Sequence, residues 1–80
     1  MQNRYIDRER YFNELAETSA GYYIDYIKRF KDIDKNSRIM EIGCGEGGNL
    51  LPFAKMGCFV AGLDLAPGKI DNARKFFAAN

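Results

Sequence analysis

IMEIGCGEGG, residues 39–48 of the chain, joins a short apolar run to four glycines within six positions. The run from Arg38 to Ile42 is bounded by turn signals and predicts a β-strand. Glycine adopts backbone conformations that a Cβ forbids, so the segment from Gly43 to Gly48 predicts a tight loop that a ligand can approach closely. These residues therefore predict a strand that runs directly into a glycine loop.

Directly after the loop, the segment NLLPFAKM predicts a helix that starts at Gly48 or Asn49 and runs through Met56. Pro52 is tolerated in the first turn of a helix, where its missing N–H is not needed. Gly57 is a typical residue just beyond a helix end, because it accepts a left-handed conformation. The loop thus leads from a strand into a short helix.

A second strand is predicted at residues 58–63, CFVAGL, ending at Asp64. Pro67 suits the first position of a last helix, because its fixed φ matches helical geometry. The apolar face predicted for that helix consists of Ile70, Ala73 and Phe77.

The first half of the chain predicts two helices. One covers about residues 7–17, the segment Thr18 to Gly21 interrupts it, and the other covers about residues 20–31. Spacings of three and four residues place apolar side chains on one side of each helix. The members are Tyr11 with Leu15 and Phe12 with Ala16 in the first helix, and Tyr23, Ile27 and Phe30 in the second.

The predicted order of elements is helix, helix, β, α, β, α. A strand, a helix and a strand in succession imply a parallel pair with a right-handed crossover. Two parallel strands do not form a stable sheet alone. We expect an α/β fold, a Rossmann-like doubly wound parallel sheet, with residues 1–37 as a helical segment and residues 38–80 as the first, incomplete βαβα part of a larger domain.

The amino-acid composition argues against several classes of function. Twelve basic and eleven acidic residues balance each other within both halves of the chain, so no nucleic-acid or membrane-surface footprint is indicated. The absence of histidine excludes histidine triads and histidine metal ligands from this segment. Cys44 and Cys58 form no CxxC motif, no apolar stretch could span a membrane, and the charged N-terminus is no secretory signal. We expect a cytoplasmic protein without a bound metal.

The glycine loop fits two templates. Gly43-x-Gly45-x-x-Gly48, with Asp64 about 20 residues further on, is the fingerprint of dinucleotide binding. Glu41-x-Gly43-x-Gly45-x-Gly47 is the acidic-led motif of S-adenosylmethionine-dependent methyltransferases. The acidic residue favours the second template, because it would repel a pyrophosphate and attract the ammonium of S-adenosylmethionine.

The stretch MEIGCGEGGNLLPFAKMG and the segment GLDLAPGKIDNAR resemble the opening of a class I S-adenosylmethionine-dependent methyltransferase. The resemblance covers about residues 38–79. It implies the cofactor S-adenosyl-L-methionine and methyl transfer to an acceptor that these residues do not identify. One departure is Ala66, where a capping serine is common; it weakens the helix start by about 1 kcal/mol.

The resemblance also implies roles for individual residues. Glu41 would face the methionyl end of the cofactor, and Asp64 would take both ribose hydroxyls. Leu65 would pack beside the adenine. The implied cofactor-binding set is Glu41, Gly43, Cys44, Gly45, Gly47, Asp64 and Leu65.

Other interpretations stay open from the sequence. The chain could be an NAD(P)-binding oxidoreductase domain or a non-catalytic interaction module. Cys44 is interpreted as a small residue in a crowded loop and not as a nucleophile. The tyrosines at positions 22, 23 and 26 suit a core stripe better than a substrate lid, and Tyr5 and Tyr11 are candidates to cap a cofactor pocket.

Overall fold

A computed structural model describes residues 4–80, with side chains from Asp7 onward. Within these residues the chain forms two strands and four α-helices. The elements are α1 (Arg4–Thr18), a π-helical turn (Ser19–Tyr23), α2 (Ile24–Lys28), β1 (Arg38–Ile42), a 3₁₀ turn (Gly48–Leu50), α3 (Leu51–Lys55), β2 (Phe59–Leu63) and α4 (Pro67–Ala79). No helix within residues 4–80 is long and apolar enough to cross a membrane.

The two strands form a parallel pair in which Arg38 lies opposite Phe59 and Ile42 opposite Leu63. This confirms the predicted parallel α/β arrangement. One face of the pair, with Ile39 and Val60, packs against a buried cluster. The other face carries exposed apolar side chains. The buried cluster consists of Ile24, Phe53 and Cys58, and the exposed side chains are Met40, Ile42, Phe59 and Leu63.

The N-terminal helices are continuous, so the predicted interruption at Thr18–Gly21 is wrong. The chain keeps helical dihedral angles at Thr18 and at Ile24, and a π turn lies between them. In that turn the Ile24 N–H donates to the carbonyl of Ser19, five residues earlier. Ser19 and Ile24, the two residues joined by this bond, are both buried.

The π turn also explains why the predicted apolar stripe of the second helix is wrong. A five-residue turn moves the core-facing side of the helix by one residue relative to the α-helical period. Ile24 is buried, whereas the predicted members are exposed. Their exposed fractions are 47% for Tyr23, 38% for Ile27 and 76% for Phe30.

A second core joins the two ends of the chain. Phe12 of α1 and Phe76 of α4 are fully buried, with their ring centroids 5.2 Å apart, and Leu51 of α3 packs with them. Phe76 lies beside the predicted face of α4, and sequence spacing did not find it. Phe77, which belongs to the predicted face, is partly buried against the same cluster.

The helix after the loop is close to its prediction. It opens as the 3₁₀ turn at Gly48, with Pro52 in the first turn of α3. Gly57 ends it with a φ of 91°, and the Gly57 N–H donates to the Ala54 carbonyl at 3.0 Å. A left-handed residue at this place is the expected helix stop.

Gly48 allows α1 to lie directly on the loop. A Cβ at this position would lie 2.6 Å from the Phe12 carbonyl oxygen and 2.7 Å from the Leu15 Cβ. Both distances are shorter than van der Waals contact, and the first partner is backbone. The absence of a side chain at Gly48 is therefore what permits the helix and the loop to meet.

We expect Gly48→Ala to lower the free energy of unfolding by about 1–3 kcal/mol, because the added methyl group forces α1 away from the loop. Gly68→Ala is the matched control, since a Cβ there meets nothing within 4 Å. The control should leave stability unchanged or slightly raised, because alanine suits a helix better than glycine. Urea denaturation of both variants measures the difference. Equal stability of the two would contradict the close approach.

Candidate functional site

A cleft of about 280 Å³ lies where β1 and β2 end, beneath α1. The carboxyl ends of parallel strands meet at one edge of a sheet, which is where α/β domains bind ligands. We call it the loop cleft. Its lining residues are Arg8, Tyr11, Leu15, Glu41, Gly43, Cys44, Gly45, Glu46, Asn49, Asp64 and Lys69.

The glycine loop is held by its own backbone. Gly43, Gly45 and Gly47 have φ values of 74°, 58° and 85°, in the left-handed region that favours glycine. The N–H groups of Gly43 and Cys44 both donate to the Leu63 carbonyl, at 2.7 and 3.0 Å. The N–H of Gly47 donates to the Cys44 carbonyl at 3.0 Å. These N–H groups are already paired within the protein.

Asp64 connects the end of β2 to the loop. Its Oδ2 accepts from the Gly45 N–H at 2.8 Å, and its Oδ1 accepts from the Ala66 N–H at 2.9 Å. The bonds from Ala66 and then Gly45 hold the pKa of the Asp64 carboxyl below its ordinary value. The group is therefore ionised at neutral pH. Each carboxylate oxygen can accept more than one hydrogen bond, so both can still receive a ligand hydroxyl.

Glu41 lies at the end of β1 and is bound on one side only. The Asn49 Nδ2 donates to Glu41 Oε2 at 3.1 Å. Glu41 Oε1 and Asn49 Oδ1 are both buried without a hydrogen-bond partner. Asn49 was not among the residues predicted for the site. Its place immediately after the glycine loop, where a side chain can turn back toward the strand end, is the signal that could have found it.

Glu46 is a buried carboxylate inside the loop that was not predicted for the site either. Both of its oxygens accept from Arg8 of α1, one of them from Arg8 Nε at 2.9 Å, and Asn72 Nδ2 of α4 donates at 3.3 Å. Arg8, then Asn72, keeps the pKa of the Glu46 carboxyl below its ordinary value, and Glu46 raises the pKa of Arg8. A charged residue among glycines was the available signal.

The predicted positions Cys44, Gly47 and Leu65 lie in three different surroundings. Cys44 is buried, and burial raises the pKa of its thiol, so it is protonated at neutral pH and unsuited to act as a nucleophile. Gly47 faces the Phe77 ring and not the loop cleft. Leu65 has a fully exposed side chain and does not line the cleft.

The tyrosines divide between two regions. Tyr11 lines the loop cleft, where the guanidinium of Arg8 lies 5.0 Å from its ring centroid. Tyr22 and Tyr26 are 73% and 60% exposed and lie outside that cleft, so the predicted core stripe of tyrosines is wrong. The side chain of Tyr5 lies outside the described residues.

A parallel strand, a glycine loop and a helix, with a carboxylate at the end of each of two neighbouring strands, are the opening elements of a Rossmann-like α/β domain. Within the described residues no cluster of side chains could hold a metal ion. Residues 40–80 match the family described as Methyltransferase domain. The chain belongs to this family, which confirms the predicted family and fold class.

Two curated relatives are similar to parts of the chain, and the first of them is a methyltransferase. The aklanonic acid methyltransferase DauC of Streptomyces sp. (strain C5) is 44% identical over 75 residues, covering 80% of this chain and 34% of the relative. An uncharacterized protein of Rickettsia prowazekii (strain Madrid E) is 44% identical over 43 residues, covering 51% of this chain and 8% of the relative. The chain thus spans about a third of the first relative. No solved structure matches it.

We expect Glu46→Gln to lower the free energy of unfolding at pH 7 by about 1–3 kcal/mol, a range that allows for solvent screening at the partly exposed Arg8. A carboxyl whose pKa is lowered by folding stabilises the protein above its unfolded pKa of about 4.3 and loses that effect as the pH falls through the folded value. The difference between wild type and Glu46→Gln should therefore shrink between about pH 5 and pH 3.

Urea denaturation across that pH range measures the effect of Glu46. Glu14→Gln, an exposed position on helix α1, is the control and should change stability little at any pH. A difference at pH 7 that persists unchanged at pH 3 would show that the charge of Glu46 is not what stabilises the loop.

Proposed function

We propose that the protein binds S-adenosyl-L-methionine in the loop cleft and transfers its methyl group to an acceptor. The observation that carries this proposal is the pair of unpaired buried oxygens on Glu41 and Asn49 beside the cleft. Buried polar atoms without partners are rare in native proteins, and a ligand donor at this end of the cleft would satisfy them. The ammonium of the methionyl moiety is such a donor.

The other parts of the cofactor fit the remaining lining. Asp64, with both oxygens able to accept again, would receive the two ribose hydroxyls. The backbone at Gly43 and Gly45 would lie against the methionyl and ribose portions, with Cys44 and Gly47 keeping the loop in shape. The exposed Leu65 would pack beside the adenine. The roles of Glu41, Asp64 and Leu65 are the ones that the resemblance implies.

Dinucleotide binding is less well supported by this loop. A pyrophosphate needs free backbone N–H groups at the loop and at the following helix. The N–H groups of Gly43, Cys44 and Gly45 are instead paired with Leu63 and Asp64. α3 is only five residues long, and the carboxylate of Glu41 would repel phosphate. We therefore favour the methyltransferase over the NAD(P)-dependent oxidoreductase.

In catalysis, the residues of this chain would act by positioning the cofactor. When bound, S-adenosylmethionine supplies a methyl group attached to a sulfonium sulfur. The sulfonium is a good leaving group. Glu41 and Asp64 would hold the two ends of the cofactor, and Tyr11 with Leu15 of α1 would cover it from water. Fixing the cofactor in this way lowers the entropy cost of reaching the in-line arrangement.

The setting of the protein is proposed from its sequence. A cytoplasmic location is favoured by the two buried free cysteines, Cys44 and Cys58. The partners we propose are the small-molecule cofactor and an acceptor, and neither nucleic acid nor a membrane surface is indicated by the charge pattern. Both statements remain predictions.

S-adenosylhomocysteine, the demethylated product, should raise the melting temperature of the protein in a thermal shift assay, because it binds only the folded state. NADH at the same concentration should produce no shift. The reason is the set of carboxylates and paired N–H groups that lines the loop cleft. A shift with NADH alone would replace the methyltransferase proposal with an oxidoreductase.

Asp64→Ala should weaken binding of S-adenosylhomocysteine by about tenfold to a thousandfold, because two hydrogen bonds to a charged group are lost. Asp64→Asn should cost less, since the amide keeps one acceptor oxygen. Isothermal titration calorimetry measures both. The control is Asp71→Ala, an exposed carboxylate of α4 outside the cleft, which should bind as wild type does. Equal affinity of wild type and Asp64→Ala would remove Asp64 from the site.

A further inference from the structure

The first turns of α1 are tied to the glycine loop by an ion pair. Glu46 lies inside the loop with 3% of its side chain exposed, and both of its oxygens accept from the guanidinium of Arg8. A guanidinium and a carboxylate joined by two hydrogen bonds are held in one relative orientation as well as at one distance. The pair therefore restrains where the amino-terminal end of α1 lies.

The later part of α1 is anchored separately. Phe12 is fully buried, and its carbonyl lies against Gly48 of the loop. Ser19, directly after the helix, donates to the Asn49 carbonyl at 2.7 Å. Arg8 lies one turn before Phe12, toward the amino-terminal end. Separating the ion pair would thus release the first turns of α1, while the later contacts keep the helix attached to the domain.

These first turns form a wall of the loop cleft. Arg8 and Tyr11 both line it, and the guanidinium of Arg8 lies 5.0 Å from the Tyr11 ring centroid. With α1 in this position the cleft has a volume of about 280 Å³. Pockets that hold a drug-sized ligand measure roughly 300–1,000 Å³. A ligand of that size therefore needs the first turns of α1 to move aside when it enters and when it leaves.

The ion pair can separate without unfolding the loop. Asn72 of α4 also donates to Glu46, at 3.3 Å, so the carboxylate keeps one partner when Arg8 leaves. Arg8 has 37% of its side chain exposed, and water can therefore solvate its charge as soon as the pair separates. The closed and open arrangements of α1 thus differ mainly at this one contact.

We propose that the Arg8–Glu46 pair is a strap that holds the first turns of α1 closed over the loop cleft and limits how fast a ligand enters and leaves. The strap rests on the proposed function, since the ligand is the cofactor of that cleft. Glu46 is a positioning residue in this arrangement, because it acts on the cleft through Arg8 and α1.

A strap has a kinetic signature that damage to the binding site lacks. The ligand must pass α1 in both directions, so a weaker strap makes association and dissociation faster together. A distorted site would make dissociation faster and leave association unchanged or slower. The two rate constants, measured side by side, therefore separate the strap from a merely structural role of the ion pair.

Surface plasmon resonance on the immobilised protein measures both rate constants for S-adenosylhomocysteine. Glu46→Gln and Arg8→Gln should each raise both constants by about threefold or more. Arg8→Lys, which keeps the charge and loses the two-pronged donor, should lie between wild type and Arg8→Gln. With the ligand in excess, neither rate constant depends on the folded fraction. The Arg8 variants test the strap even if Glu46→Gln does not fold.

Arg10→Gln is the matched control. Arg10 also forms an ion pair in the first turns of α1, with Asp7 at 2.9 Å, but that pair lies within the helix and is exposed. Its loss should leave both rate constants at their wild-type values. Unchanged rate constants in the Arg8 variants, or faster dissociation without faster association, would overturn the strap and leave the proposed function standing. A wild type that does not bind S-adenosylhomocysteine would overturn the proposed function and this inference together.

Discussion

The contact between α1 and the glycine loop at Gly48 is the constraint on which the rest of the structure depends. At Gly48 the backbone of α1 comes so close to the loop that even a Cβ would clash with it. Once α1 is there, Phe12 reaches Phe76 of α4, and Arg8 reaches Glu46 inside the loop. The same contact makes α1 one wall of the loop cleft. Core packing and the site are therefore consequences of one close approach.

The electrostatics of the cleft follow from how the loop satisfies its own backbone. Three consecutive N–H groups donate to the end of β2, so the loop offers few donors to an anionic ligand. The Ala66 and Gly45 N–H groups lower the pKa of the Asp64 carboxyl, and one buried oxygen of Glu41 has no hydrogen-bond partner. Under the proposed function, these carboxylates would receive the ribose hydroxyls and the ammonium of the cofactor. Membership of the methyltransferase family and the chemistry of the cleft thus agree.

The sequence predictions were correct where the interactions are local along the chain and wrong where they join distant residues. β1 was predicted with its observed bounds, and Gly57 and Pro67 were placed correctly, because each depends on residues nearby in the chain. The interruption of the N-terminal helix was wrong. Thr18 to Gly21 is a weak helix former, but the buried bond from Ser19 to the Asn49 carbonyl, 30 residues away, stabilises a π turn there. No local pattern contains that bond.

The sequence by itself determined the parallel strand–loop–helix unit, the glycine loop, and the choice of Glu41 and Asp64 as residues of interest. Backbone freedom at glycine and the period of apolar residues are local properties, and residue order encodes them directly. Only the tertiary structure brought Arg8 to Glu46, buried Phe76, and moved the core side of the helix to Ile24. Those outcomes depend on how α1 meets the loop. That contact joins residues more than 30 positions apart, and spacing along the chain carries no record of it.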